Sequence, residues 1–90
     1  MTNAMTAMRH AVRDHLVKGY PITRLEAEIF YGMQSLTAEI TRMRQEGWLV
    51  QSKKVPMAKA IRRINQQCVL TPPSSLPIKQ ITVEEYWVES

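Results

Sequence analysis

Gln34, Ser35, Thr37, Ala38, Thr41, Arg42, Arg44 and Gln45 fall in one short stretch of the chain. If residues 35–46 form a helix turning about 100° per residue, Gln34, Ala38, Thr41, Arg42 and Gln45 point one way, Thr37 and Arg44 lie on one flank, and Glu39 lies on the other. The side chains are hydroxyls, amides, a methyl and two guanidinium groups. They can hydrogen-bond base edges or phosphate oxygens when a helix enters the major groove of double-stranded DNA. A polar outer face is also what any amphipathic helix of a small domain shows, so the reading depends on the elements around it.

Those elements begin with the stripe on the opposite side of the same stretch. Leu36, Ile40 and Met43 recur at i, i+4 and i+7, Ser35 is placed to cap the helix start, and Gly47 closes it. Upstream, Thr23 is followed three residues later by Glu26, the pattern of a reciprocal capping box. A helix over about 24–30 follows, with Leu25 and Ile29 on one face and Ala27 allowing close approach; Tyr31-Gly32 breaks it, because glycine adopts the left-handed conformation without strain. A short capped helix, a glycine turn and a second helix make a helix-turn-helix. Before it, Met5, Met8, Val12 and Leu16 mark a scaffold helix over about 4–18, stopped by Gly19. Pro21 holds the link extended, and Ile22 precedes the cap as a hydrophobic staple.

Beyond Gly47 the periodicity shifts from helical to partly alternating. A strand is expected over about 48–55, with Trp48 and Val50 on one face, and a closing strand over about 81–88, with Ile81, Val83 and Trp87 on one side and Thr82, Glu84, Tyr86 and Val88 on the other. Together they predict a two-stranded antiparallel wing on a three-helix core. The fold class is therefore mainly α with a small β wing, within a single domain. Residues 56–80 are too long for a hairpin loop, so they read as an insertion. Within it Met57, Ala60, Ile61 and Ile64 form the apolar side of a helix over about 56–66, Lys59, Arg62 and Arg63 lie on its other faces, and Cys68-Val69-Leu70 can add a short strand.

The charge is localised. Between Arg42 and Arg63 the bases Arg42, Arg44, Lys53, Lys54, Lys59, Arg62 and Arg63 face the single acid Glu46, within a chain of net charge +4. A basic face of this kind favours an anionic partner. Arg42 and Gln45 would read base edges, while Lys53, Lys54, Arg62 and Arg63 would meet phosphates. One short helix supplies few base contacts, so a homodimer on a palindromic site is expected, through the 57–64 helix with Trp87 and Tyr86, or through the first helix.

Other functions find little support. The chain of 90 residues has a small core and no room for a large cleft, and no apolar run approaches the roughly 20 residues that span a bilayer. The first residues lack a secretory pattern, and the lone Cys68 reads as a small buried apolar residue, so a cytoplasmic protein is expected. His10 and His15 have no metal spacing and read as surface histidines, and no glycine-rich phosphate loop occurs. Neither an enzyme, a cofactor, a membrane nor a small-molecule substrate is implied.

Thr23, Leu25, Glu26 and Ala27, then Gly32, then Leu36, Ile40, Met43, Arg44 and Gly47 resemble a family of small helix-turn-helix domains of phage and prophage proteins. That family carries a T-x-L-E-A helix, a glycine turn and an L-x-x-x-I-x-x-(L/M)-R-x-x-G helix followed by a hydrophobic strand. Val83-Glu84-Glu85-Tyr86 looks like its closing wing strand, and the similarity spans about two thirds of the chain. The resemblance implies a winged helix-turn-helix architecture and DNA binding, as in a regulator of transcription, replication or recombination. The competing reading is a winged-helix protein–protein adaptor or modulator of a host protein without DNA binding, because fold alone does not determine function.

Overall fold

The computed structural model describes residues 4–89, with side chains from Ala7 onward, so Met5 of the expected scaffold stripe lies outside the described side chains. In chain order the elements are α1 (Ala4–Val17), β1 (Ile22–Thr23), α2 (Arg24–Tyr31), α3 (Leu36–Gln45), β2 (Val50–Pro56), α4 (Met57–Ile64) and β3 (Thr82–Val88). The strands form one antiparallel sheet in the order β1-β3-β2, giving an α+β winged-helix architecture.

Local chemistry sets the helix-turn-helix. The Thr23 hydroxyl accepts from the Glu26 N–H at 3.4 Å, while the Glu26 carboxylate accepts from the Thr23 N–H at 3.1 Å, satisfying two amides that a helix start would leave without partners. At the other end Gly32 sits at φ 67°, and the Met33 N–H reaches back to the Ala27 carbonyl at 3.0 Å. A Cβ at Gly32 would lie 3.4 Å from the Met8 sulfur of α1, an ordinary contact, so glycine serves the left-handed turn here and not a lack of space. The α3 stripe is buried: Leu36, Ile40 and Met43 join Val12, Leu16, Ile22, Ala27, Met33 and Val50 in one core, with Tyr31, Tyr86 and Val88 packed against it. Burying each of these large side chains contributes about 1.5–3 kcal/mol.

Several expectations are corrected. Leu25 and Ile29 do not form the inner face of α2; Ala27 does, and Ile29 is exposed. Both lie two residues, or about 200°, from Ala27, so once Ala27 is against the core Leu25 is only half-buried and Ile29 is exposed. Ser35 starts α3 without a side-chain cap hydrogen bond. Trp48 is not in the sheet, because the Val50 N–H bonds the Trp48 carbonyl at 3.1 Å and the chain turns before β2 begins. Cys68 is exposed and no strand forms around it. Its N–H bonds the Ile64 carbonyl at 3.0 Å and the Leu70 N–H bonds Asn65 Oδ1 at 2.7 Å, so these amides are used locally.

The wing has a third strand that the sequence pattern did not announce. β1 lays Ile22 opposite Tyr86 and Thr23 opposite Glu85. With two residues it is too short for an alternating pattern to show. Across β2 and β3 the register divides the sheet into two faces. Val50 with Val88, and Ser52 with Tyr86, share the face toward the helical core; Lys53 with Glu85, and Val55 with Val83, share the other.

α4 packs on β2 and α2, burying Ala60, Ile61 and Ile64. Its first amides, on Met57 and Ala58, donate to the carbonyls of Ile81 and Ile78 at 2.8 and 3.1 Å, so the chain returning to β3 caps the helix in place of a side chain. This removes the surface first expected for self-association: the apolar side of α4 is spent inside its own chain.

Candidate nucleic-acid interface

Gln34, Ser35, Thr37, Ala38, Thr41, Arg42 and Gln45 are all exposed. The arrangement follows from burial of Leu36, Ile40 and Met43, which turns the remaining positions of α3 to solvent. The Thr41 hydroxyl donates to the Thr37 carbonyl at 3.0 Å, so its hydrogen is committed within the helix and its lone pairs face outward. Gln34, Ser35, Ala38 and Arg42 border a groove of about 330 Å³ that runs to Met8 and Arg9 of α1.

Arg44 behaves differently from its neighbours. Its Nε and Nη2 donate to the Val50 carbonyl at 3.1 and 2.9 Å, bracing the end of α3 against the start of β2. Two of its donors are thereby taken by a backbone acceptor six residues on in sequence, while the side chain itself stays exposed.

The bases beyond α3 also divide. Arg63, expected on phosphates, lies between two buried carboxylates: its Nε bonds Glu26 Oε2 at 2.8 Å, its Nη2 bonds Glu26 Oε1, and its Nη1 bonds Glu85 Oε2 at 2.9 Å. The hydrogen bond to Glu26, opposed by burial, lifts the guanidinium above its ordinary range, so it stays charged. Lys59 approaches Glu85 at 3.6 Å, and Lys53 stands 4.0 Å from the same carboxylate and 5.6 Å above the Trp87 ring. Lys54 and Arg62 are exposed and have no carboxylate within ion-pair distance among the described residues. Lys53 and Lys54, adjacent in β2, project from opposite faces of the sheet.

The buried Glu39 was missed. Expected on the flank of α3, it has a fully buried side chain and accepts from Arg9 Nε at 2.7 Å, Arg42 Nη1 at 3.0 Å and Arg13 Nε. Arg13 also grips both oxygens of Glu46, at 2.7 and 2.6 Å. Burial pushes the Glu39 carboxyl up, but the hydrogen bonds and charges of Arg13 and Arg9 outweigh it and hold it below the usual carboxylate range. Glu46 is held low mainly by its bond from Arg13, which is itself raised by its bonds to Glu46 and Glu39. A signal existed: Glu39 is three residues after Leu36 and four before Met43, inside the buried stripe, and Arg9 and Arg13 are four apart on α1.

His15 is likewise half-buried rather than a free surface histidine. Its Nε2 meets the Pro21 carbonyl and its Nδ1 meets the Tyr31 hydroxyl, both at 2.9 Å. A carbonyl only accepts, so Nε2 carries the hydrogen and, in the neutral ring, Nδ1 accepts from Tyr31. Burial raises the Tyr31 phenol and keeps that donor protonated. These contacts clip α1 to α2. They also form part of the wall of a depression of about 580 Å³, lined too by Tyr20 and Phe30, which includes none of the exposed α3 residues.

A polar α3 face backed by a buried stripe, with a three-stranded wing behind it, is the geometry of a helix-turn-helix reader, and residues 8–68 match the family model of the winged helix-turn-helix domain. The chain belongs to the winged helix-turn-helix family. No curated protein and no solved structure matches the chain. The family match includes the whole helix-turn-helix, β2 and α4, while β3 lies outside it. Membership of this family points in general to DNA binding. Among the described residues no helix is long and apolar enough to cross a membrane, and no group of three His, Cys, Asp or Glu side chains is placed to hold a metal ion.

Proposed function

We propose that this winged helix-turn-helix protein binds double-stranded DNA with sequence preference, laying α3 in the major groove, as a cytoplasmic regulator of the phage and prophage type and not as an enzyme. The observation that carries the reading is the division of α3: Leu36, Ile40 and Met43 are buried, while Gln34, Thr37, Ala38, Thr41, Arg42 and Gln45 are exposed along one side. Arg42 and Gln45 would contact base edges. Lys54 and Arg62 serve as phosphate contacts with their charge unshared, and Lys53 and Lys59 do so with theirs partly drawn to Glu85. The similarity of the Thr23–Gly47 pattern to phage and prophage domains supports the regulatory role.

Two-fold pairing on a palindromic site would double the few contacts one α3 can make. Sedimentation with and without duplex should then reveal a species of twice the 10.4 kDa chain mass. The test of the main reading is selection of bound duplexes from a random pool, followed by binding at several salt concentrations. Enrichment of one sequence together with a steep fall in affinity with salt is expected. A pool that never enriches and affinity indifferent to salt would sink it, leaving the adaptor reading.

A further inference from the structure

Arg9 and Arg42 come from different elements, α1 and α3, yet donate to the same oxygen of Glu39, at 2.7 and 3.0 Å. Glu39 itself is fully buried, and its second oxygen is held by Arg13. The two guanidinium groups are therefore neighbours, each anchored along one edge. Each has five N–H donors and gives one to Glu39, so the others remain for a ligand, and the side chains are 38% and 48% exposed. Both border the same groove of about 330 Å³, beside Gln34 and Ser35, whose hydroxyl makes no cap bond. Arg63 provides the contrast, since its guanidinium is occupied on all three nitrogens by Glu26 and Glu85.

We propose that Arg9 and Arg42 together grip one DNA backbone phosphate at the groove between α1 and α3, and that Glu39 is the positioning residue that aims them. This rests on the DNA-binding reading above and adds to it a contact from α1. A phosphate presents planar pairs of oxygens that match guanidinium forks, which a pair of lysines on flexible stems would not. Anchoring on a buried carboxylate lowers the ordering cost of two long side chains when the phosphate arrives. The phosphate contact is indifferent to base identity, so it sets the register of α3 and leaves discrimination to Gln45, the other exposed α3 side chains and the Arg42 donors that neither Glu39 nor the phosphate takes.

The full chain and four variants would be titrated with a labelled mixed-sequence duplex over a range of salt, with thermal unfolding of each as a check on folding. Arg9→Gln keeps a donor for Glu39 while losing the charge. It should weaken binding to every duplex and flatten the log affinity against log salt slope by about one unit. Arg9→Lys should keep the slope and bind less tightly. Lys18→Ala, which removes the same charge from the turn just past the end of α1, where it is paired with Asp14 and stands roughly 13 Å from Arg9, should change neither. Glu39→Gln removes negative charge near the DNA, so simple electrostatics predicts tighter binding, whereas loss of aim predicts weaker binding. Salt-dependent binding by the parent with an unchanged slope in Arg9→Gln would overturn the phosphate site and leave DNA binding standing. Tighter binding by folded Glu39→Gln would overturn the positioning role. A parent chain with no salt-dependent binding would overturn both this site and the reading beneath it.

Discussion

Two buried ion clusters join the helices of this protein, and they are wired in opposite senses. Under α1 and α3 the hub is an anion: Glu39, fully buried, with Arg9, Arg13 and Arg42 running outward to the surface. Between α2, α4 and β3 the hub is a cation: Arg63 joins Glu26 and Glu85, whose side chains are only 2% and 4% exposed. The wiring decides what each cluster presents. An anionic hub displays its cations to solvent, within reach of an anionic partner; a cationic hub draws its arginine inward and turns it into a structural tie. Arginine content alone therefore does not locate the interface, since Arg62 and Arg63 are adjacent in sequence and differ in this respect.

The comparison can be broken at its hubs. Arg63→Met should cost the most, about 3–5 kcal/mol, because it strands two buried carboxylates away from their main partner. Chemical denaturation would read it, and a loss under 1 kcal/mol would mean that Lys59 and Lys53 suffice for Glu85 and the Thr23 N–H and hydroxyl for Glu26. Glu39→Gln should cost less, about 1.5–3 kcal/mol, because the arginines it releases can rehydrate at the surface. Its effect should also depend on pH. The folded-state carboxyl of Glu39 is held below its unfolded value of about 4.3, so its contribution is complete above that value and is lost as pH falls through the folded one. Wild-type stability should fall on acidification below about pH 4 more steeply than that of the variant; parallel curves would remove Glu39 as the cause.

Binding energies sharpen the same contrast at smaller scale. Arg42→Ala or Gln45→Ala should cost roughly 1–3 kcal/mol at a selected site and relax preference at the contacted base, with Arg42 also losing its share of the phosphate grip. Competition between the selected duplex and single-base variants would show this, and equal losses on all sequences would reassign both side chains to the backbone. The smallest effect is expected from Arg62→Ala, within about ±0.5 kcal/mol of parental stability, with a salt slope about one unit flatter. Placed beside its neighbour Arg63, which should disturb folding first, it separates a surface base from a buried one.

What could be read from the sequence was what short-range physics controls. The Thr23 and Glu26 cap, the Gly32 turn and the Leu36, Ile40 and Met43 stripe are interactions within one or two helical turns, and each is found in the structure. The apolar side of α4 was equally legible, since Ala60, Ile61 and Ile64 are buried. Where those residues went was not. Nothing local says that α4 covers its own chain and not a second copy, because an apolar stripe is satisfied by either.

Tertiary structure alone decided the charged contacts. Arg9 meets Glu39 across 30 positions, Arg63 meets Glu26 across 37 and Glu85 across 22, and β1 exists only because β3 returns beside it. A side chain's charge is encoded at its position, but whether that charge is displayed or neutralised depends on which carboxylate the fold brings within about 3 Å, a distance over which the interaction changes from negligible to dominant. The sequence by itself determined a helix-turn-helix whose second helix has a polar outer face. The packing of α1 and α4 against it determined which of the arginines are left to meet a partner.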